Sequence, residues 1–438
     1  MLVSIAIDDT DSPRGGCTTY IASHISSILD NRNDIEFLDY PLLVRLNPNV
    51  PFKTRGNGAI ALRLKINENV DLNDIIELVK NIVEKYCDMK HPKTDPGIAV
   101  LVGEISSELT KIYYRALTEI VPISLVMRLI EKIGIKAIHW KKGKGLIGAV
   151  AALGAVMDDY TFELIAYREP QNWGTSRKVD VDSIILMDRI FRDLTYANYD
   201  YESRRALIMP RGPDPVLFGI RGEDPEVLVK AFSIIRTLEP VDRWTIFRTN
   251  QGTNAHFREN VLFAPYNSVI VRGVISGVRI LPRGHVVFEV FNGERTIECI
   301  VYKDTGNLTR IAKMLNRGDS VVVYGGVRPA SSRHGEVLNV EMLHVLKPTM
   351  IRIERAPLCP SCGKRMKSMG RGKGYKCTKC GYRDPKATKV IKELPSLVDP
   401  GIYIPSPRAY RHLTRPRRRF GLMNKRSISY IFKPWHYP

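Results

Sequence analysis

Four cysteines near the C-terminus constrain this chain more than any other feature. "CPSCGKRMKSMGRGKGYKCTKCG" sets Cys359 and Cys362, then Cys377 and Cys380, as two CxxC pairs with fourteen residues between them. A segment this short, and this rich in lysine and glycine, cannot bury a core of its own. Two such knuckles bring four thiolates to one tetrahedral ion, and the ion replaces the missing core. Gly363 and Gly381, directly after the knuckles, favour a zinc ribbon holding Zn2+. A redox dithiol pair or an iron–sulfur site are the other uses of four clustered cysteines. The total of seven cysteines is odd, which speaks against a secreted disulfide scaffold and for a reducing, cytoplasmic setting.

The positive charge is as localised as the cysteines. Residues 350–438 hold 22 Lys and Arg against 4 Asp and Glu, whereas the first 349 residues hold 44 against 42. One end of the chain is a polycation, which reads as a nucleic-acid arm. A solvated tail or a basic membrane-surface segment would share that composition. Within it, "SPRAYRHLTRPRRRFG" interleaves Arg408, Arg411, Arg415, Arg417, Arg418 and Arg419 with Tyr410, His412 and Phe420. Guanidinium forks suit phosphates, and rings suit unpaired bases. No membrane association is expected, because the longest nearly apolar run, residues 145–157, falls short of the roughly 20 residues a spanning helix needs. The N-terminus has no basic region and meets Asp8 at once, so no signal peptide is expected.

Periodicity divides the rest. Residues 1–105 alternate as βαββαβ, with Val3, Ile5 and Ile7 on one face of the first strand. A ferredoxin-like sheet satisfies that order. A helical stretch follows, which Pro122 should break or kink. Residues 137–250 repeat an α+β pattern. They start with "AIHW" and a helix from Gly145, and residues 169–213 form an insertion. Residues 268–347 carry five strand candidates with one helix, "NLTRIAKML", between the third and fourth, the order of an OB-fold. Asn292-Gly293 marks the hairpin between the second and third.

The densest chemistry lies where the first strand ends, in "IDDTDSPRGGCTTY". Asp8 and Asp9 face opposite ways unless the chain turns, and "TDSPRGG" is such a turn. Clustered carboxylates repel one another unless a cation joins them, and Mg2+ is the hard ion that commonly bridges to nucleotide phosphates. Gly15 and Gly16 open the next helix, whose amides suit phosphate, and Thr18 and Thr19 lie in its first turn. The stretch therefore reads as phosphoryl transfer. A purely structural use, with Asp11 in an Asx turn and Thr18 as a cap, is the alternative. Lys53 and Arg55 in "PFKTRGNG" are of the type that holds nucleotide phosphate. "KKGKGLIGA" contains a lone GxGxxG, Gly143, Gly145 and Gly148, read as a dinucleotide site with Glu169 about 20 residues on, as a phosphate or RNA-backbone contact, or as helix–sheet packing. No GxxxxGK[ST] occurs.

"IDDTDSPRGGCTTY", "VRLNPNVPFKTRGNGA", "GKGLIGAVAALGA" and "FRTNQGTNAH" together resemble the archaeal tRNA-isoleucine 2-agmatinylcytidine synthetases, over nearly the whole chain. The resemblance implies a multi-domain α+β chain. It would comprise a kinase-like α/β domain over 1–130, a ferredoxin-like domain over 131–262 and an OB-fold β-barrel over 266–348. A zinc ribbon over 355–385 and a basic C-terminal tail over 386–438 would complete it. It implies an ATP-dependent ligase that replaces the C2 oxygen of the wobble cytidine of the isoleucine tRNA with anticodon CAU by agmatine, so that the tRNA decodes AUA. It also implies that Asp8, Asp9 and Asp11 serve the kinase-like chemistry and that Thr18 becomes phosphorylated. ATP, Mg2+ and Zn2+ are the expected cofactors. Asp214, Glu223, Asp224 and Trp244 are open candidates for the agmatine pocket. Adenylation of C2 instead of phosphorylation, and a non-catalytic OB-fold and zinc-ribbon protein that binds single strands, are the competing readings. Oligomeric state stays open.

Overall fold

The first strand, β1 (Leu2–Asp8), is buried along both faces. The computed structural model describes residues 1–438 except Arg55 and Arg333. β1 leads through a turn into α1 (Thr18–Asp30), β2 (Ile35–Phe37), β3 (Leu42–Arg45), β4 (Gly58–Ile66), α2 (Leu72–Tyr86) and β5 (Gly97–Val102). β1 lies between β4 and β5, antiparallel to both, and β3 pairs with the far edge of β4. Val3, Ile5 and Ile7 form the apolar face that the alternation predicts. Ser4, Ala6 and Asp8 form the other, and they are small because a helix lies close above them.

That helix comes after α3 (Ser107–Thr118), α4 (Ile123–Ile133) and β6 (Lys136–His139), and is α5 (Gly145–Leu153). Pro122 sits at the start of α4 and breaks the long helical stretch as expected. Arg63 donates to Ser4 Oγ at 2.8 Å and to the Leu153 carbonyl at 2.6 Å, tying the sheet to the C-terminus of α5. The sequence reading grouped β6 and α5 with the second α+β half. They belong physically to the first: β6 pairs with β5, and α5 packs on β1, β4 and β5. A short βα pattern cannot reveal which sheet edge it will join.

The second half contains β7 (Thr161–Arg168), α6 (Val181–Ile190), β8 (Thr195–Tyr196), β9 (Tyr199–Asp200), β10 (Arg205–Ala206), β11 (Val216–Gly222), α7 (Pro225–Ile234) and β12 (Val241–Thr249). The two halves share one sheet in the order β6-β5-β1-β4-β3-β12-β7-β11-β8. Its seam is the parallel pairing of β3 with β12, and one apolar core runs from Val3 to Trp435 across it.

A separate core fills a barrel made of β13 (Ser268–Ile280), β14 (Val286–Phe291), β15 (Thr296–Val301), α8 (Asn307–Ala312), β16 (Ser320–Arg328) and β17 (Val337–Lys347). β13, β14 and β15 pair in sequence, β13 also pairs with β16, β16 pairs with β17, and a parallel β15–β17 pairing closes the ring. The Asn292-Gly293 turn does join β14 to β15, with Asn292 Oδ1 accepting from the amides of Glu294 and Arg295.

β18 (Ile351–Arg355) is a stalk strand. A three-stranded sheet follows it, of β19 (Lys367–Ser368), β20 (Tyr375–Lys376) and β21 (Arg383–Asp384), and β22 (Val390–Leu394) returns to pair with β18. β23 (Gly401–Tyr403) rejoins the barrel at β17, and β24 (His436–Tyr437) joins β12. The expected nucleic-acid arm thus runs as a strap across the body, with several of its arginines paired to acids there, while Arg417, Lys425 and Arg426 are exposed. Arg419 is 1% exposed and pairs with Asp159 and Glu223. Arg415 also meets Asp159, Arg411 meets Glu341, and Arg408 meets Glu202. Composition counted the arginines but could not see the acids waiting on the body. No helix among the described residues is long and apolar enough to cross a membrane.

Candidate active site

The turn after β1 is built by one unusual residue. Asp9 adopts a left-handed backbone, φ 56°, so the chain leaves the strand direction there. Asp8 and Asp9, which would face apart on a strand, now line one cavity of about 330 Å³ with Asp11, Thr18, Lys53, Lys93 and Lys144. Asp8 reaches over α5 only because residue 148 is glycine: a Cβ there would lie 1.8 Å from Asp8 Oδ2. The turn continues through a Ser12–Gly15 bridge. It delivers Asp11 to the N-terminus of α1, where Asp11 Oδ1 accepts from the Thr18 amide at 2.9 Å and the Thr18 hydroxyl at 3.2 Å. Thr10 Oγ1 donates to Thr18 Oγ1 at 3.0 Å. The hydroxyl is therefore aimed from two sides.

Electrostatics distinguishes the aspartates. Burial pushes Asp8 up to about 7, with Asp11 adding to the rise. Burial pushes Asp9 up to about 8, reinforced by the charges of Asp8, Asp95 and Asp11. Lys53 Nζ donates to the carbonyls of Pro48 and Val50, and burial, then Arg411, lowers its proton affinity. Phe52 offers a ring beside Lys144 in the same cavity.

The structure sorts the remaining candidates. Gly15 and Gly16 shape the turn, and neither walls the cavity; the Gly15 amide donates to the Ser12 carbonyl. Arg55 lies outside the described residues. The amides of Lys142, Gly143 and Lys144 all donate to the Asp95 carboxylate, so this loop binds a carboxylate of its own chain. Gly145 presses on Gly97, with no room for a Cβ on either, as the helix–sheet packing reading of the GxGxxG requires. Asp214 pairs with Arg177, Glu223 is held by Arg419, Asp224 caps α7, and Trp244 is buried in β12. Among the described residues, the four cysteines are the one group whose ligand atoms converge, all within 4.8 Å of one another.

A second cavity, of about 770 Å³, adjoins the first, and Asp11, Thr18, Lys53 and Asn57 line both. Its floor holds Asp214, one of the sequence candidates for the agmatine pocket, and His412, named from the sequence only as a ring of the basic segment; Arg45, Glu163 and Arg221 were missed by sequence reasoning. Glu163 accepts from Arg221 Nε at 2.9 Å and from the Gln251 amide; Gln251 Oε1 in turn faces His412 Nδ1 at 3.0 Å. These residues come from β3, β7, β11, the β12 end and the strap. The signals for them were "FRTNQGTNAH", an amide-rich run that holds Gln251, and "VRLNPNVPFKTRGNGA", whose second residue is Arg45.

Comparison with known proteins places this geometry. The TiaS TCKD domain family matches residues 4–142, the TiaS FLD domain family residues 143–256, and the TiaS C-terminal zinc ribbon domain family residues 356–395. The tRNA-isoleucine 2-agmatinylcytidine synthetase TiaS of Staphylothermus marinus is 45% identical over 434 residues, covering 96% of this chain and 94% of that protein. A crystal structure of TiaS in complex with its isoleucine tRNA and ATP superimposes with a TM-score of 0.87 at 34% identity, covering 98% of this chain and 99% of the other. A complex of TiaS with the same tRNA, AMPCPP and agmatine gives 0.84 at 32% identity, covering 98% and 99%.

Proposed function

This chain belongs to the TiaS family of tRNA-isoleucine 2-agmatinylcytidine synthetases, and we propose that its two adjoining cavities divide that family's reaction between them. The protein is an ATP-dependent ligase that joins agmatine to C2 of the wobble cytidine of the CAU-anticodon isoleucine tRNA. The observation that carries the division of labour is the shared wall: Asp11 and Thr18 face both chambers. The first chamber, with its lysines and the Phe52 ring, suits ATP. The second, with its arginines and buried acid, suits the cytidine and the amine.

The chemistry requires activation. Oxygen on C2 is a poor leaving group. The γ-phosphorus breaks its bond to the bridging oxygen as ADP leaves and bonds to the Thr18 oxygen, whose hydroxyl gives up its proton; the Thr18 O–P bond then breaks as a lone pair on the cytosine oxygen forms the new O–P bond, and the Thr18 oxygen takes a proton back. The neutral amine of agmatine then adds to C2, the C2–O bond breaks, phosphate departs with the oxygen, and the nitrogen loses its proton. Asp8 and Asp9 hold protons readily near neutrality and are suited to managing charge where phosphates bind. Thr18, aimed by Asp11 and Thr10, is placed to carry a phosphoryl group between the chambers.

Mg2+ fits the donor set. Asp8 and Asp9 are hard oxygen ligands, and three aspartates that line a cavity without converging suit an ion that completes its shell with phosphate and water. When bound it would neutralise phosphate charge. Four thiolates in one cluster fit Zn2+, whose role is to hold the ribbon together. We assign kinase-like, ferredoxin-like and OB-fold labels to 1–130, 131–262 and 266–348. The first border moves to about residue 153, because β6 and α5 pack on the first sheet. A binding-only protein would leave the acidic chamber without a purpose. Mass analysis of nucleosides from the CAU-anticodon isoleucine tRNA incubated with the protein, ATP and agmatine should show 2-agmatinylcytidine. Oxygen label in cytosine C2 should appear in inorganic phosphate; label in AMP would overturn the phosphoryl route in favour of adenylation.

A further inference from the structure

Beyond the end of β12, the side chain of Asn250 takes over the pairing with β3. Its Oδ1 accepts from the Arg45 amide at 2.8 Å, and its Nδ2 donates to the Arg45 carbonyl at 2.9 Å. A side chain that clamps both backbone groups of one residue fixes where that residue points. Arg45 points into the second cavity, past Gly56 and Gly58, where an added Cβ would come within 2.8 and 2.9 Å of its Nη1.

The guanidinium placed there lacks a counter-charge. Its Nε is buried with no hydrogen-bond partner, and among the described residues no carboxylate lies within ion-pair distance of it. Its electrostatic neighbours are Glu163, Arg221, Cys17 and Asp11. Glu163 is already held by Arg221 and Gln251, and Asp11 by Thr18. His412 adds no negative charge. The Gln251 amide nitrogen donates to Glu163, so its oxygen faces His412 and must accept, which puts the His412 proton on Nδ1. The positive charge of Arg45, then burial, keeps that ring neutral. A half-buried, aimed cation whose Nε has no partner demands an explanation, and the missing partner is an anion.

We propose that Arg45 is a catalytic residue that binds the phosphoryl group as it passes from ATP to the cytidine oxygen. This rests on the phosphoryl route proposed above. The bonds made and broken are those of that route, and Arg45 exchanges neither proton nor electron pair. Its planar fork meets two phosphoryl oxygens at once, and the adjoining wall of Asp11 and Thr18 puts that group within the same chamber.

Arg45→Gln tests this in the full-length protein with the CAU-anticodon isoleucine tRNA, ATP and agmatine. The turnover number should fall by about 100-fold or more, the loss typical of removing one donor to a transition-state oxyanion. The KM for ATP and the Kd for tRNA should stay within about threefold, since the loss belongs to the transition state. The apo variant should melt at or above the wild-type temperature, because a half-buried guanidinium with an unpartnered Nε has gone. A turnover number within about threefold of wild type would overturn the proposal. So would weaker tRNA binding with a shallower salt slope at unchanged turnover, which would assign Arg45 to an RNA backbone phosphate. Should Arg45→Gln fail to fold, Arg45→Lys keeps the charge without the fork, and wild-type turnover in it would overturn the role equally. Label from cytosine C2 found in AMP with the wild-type protein would remove the phosphoryl route itself, whatever the Arg45 variants do.

Discussion

The role proposed for Asp8 lies in the reaction and not in the fold. Its carboxyl rises from an ordinary 3.8 to about 7 because it is buried beside other acids. A carboxyl that holds its proton more tightly when folded stabilises the protein relatively at low pH, and that contribution is lost as pH climbs from about 4 through about 7. The loss extends to about 8 through Asp9. Asp8→Asn should therefore raise the melting temperature of the ligand-free protein more at pH 8.5 than at pH 6, while abolishing agmatine incorporation. An equal effect at both pH values in thermal melts would show that Asp8 ionises freely. Thr18→Ala should stop modification and leave tRNA binding unchanged; full activity in it would remove Thr18 from the chemistry.

At the scale of elements, α5 sets where Asp8 lies. Gly148→Ala adds one methyl, yet the added Cβ would meet the Asp8 carboxylate at 1.8 Å. Turnover should drop by at least tenfold, on the principle that an ångström of misplacement costs up to about 100-fold, with the circular dichroism spectrum unchanged. The ribbon behaves as its own element. Its buried residues are Cys359, Cys377 and Met366, too few to fold without a metal. Metal analysis should find one zinc per chain. Cys377→Ser should lose it and melt the ribbon locally, with hydrogen exchange in the two sheets unaffected; retained zinc would remove Cys377 from the ligand set.

Across the whole molecule, the strap links every unit. Arg419 joins Asp159 and Glu223, Arg411 joins the barrel through Glu341, and Trp435 is buried against Phe37 and Tyr40. Removing Arg419 leaves Glu223 without its cation and Asp159 with Arg415 alone, so Arg419→Ala should destabilise by about 3–5 kcal/mol in denaturant unfolding. The same variant should barely alter the salt dependence of tRNA affinity, because this arginine is already spent inside the protein. A shallower salt slope at unchanged stability would return it to the RNA-binding surface.

The ribbon, most helices, the barrel strands and the acidic turn were legible in the chain, because each rests on local periods, caps and spacings that act over a few residues; α6, inside the stretch read as an insertion, was not. The spacing of the four cysteines and the aspartates at the end of β1 are of that kind. The tertiary structure alone decided which sheet edge β6 would join, that β3 and β12 would fuse two halves into one sheet, and that Arg408, Arg411, Arg415 and Arg419 of the tail would pair with acids on the body. It also assembled the second chamber, from Arg45, Glu163, Gln251 and His412, residues up to hundreds of positions apart. The physical reason is the same in each case. A strand edge, an arginine or a buried acid is unsatisfied on its own, and its partner is chosen by packing and charge across the fold, which no local pattern encodes.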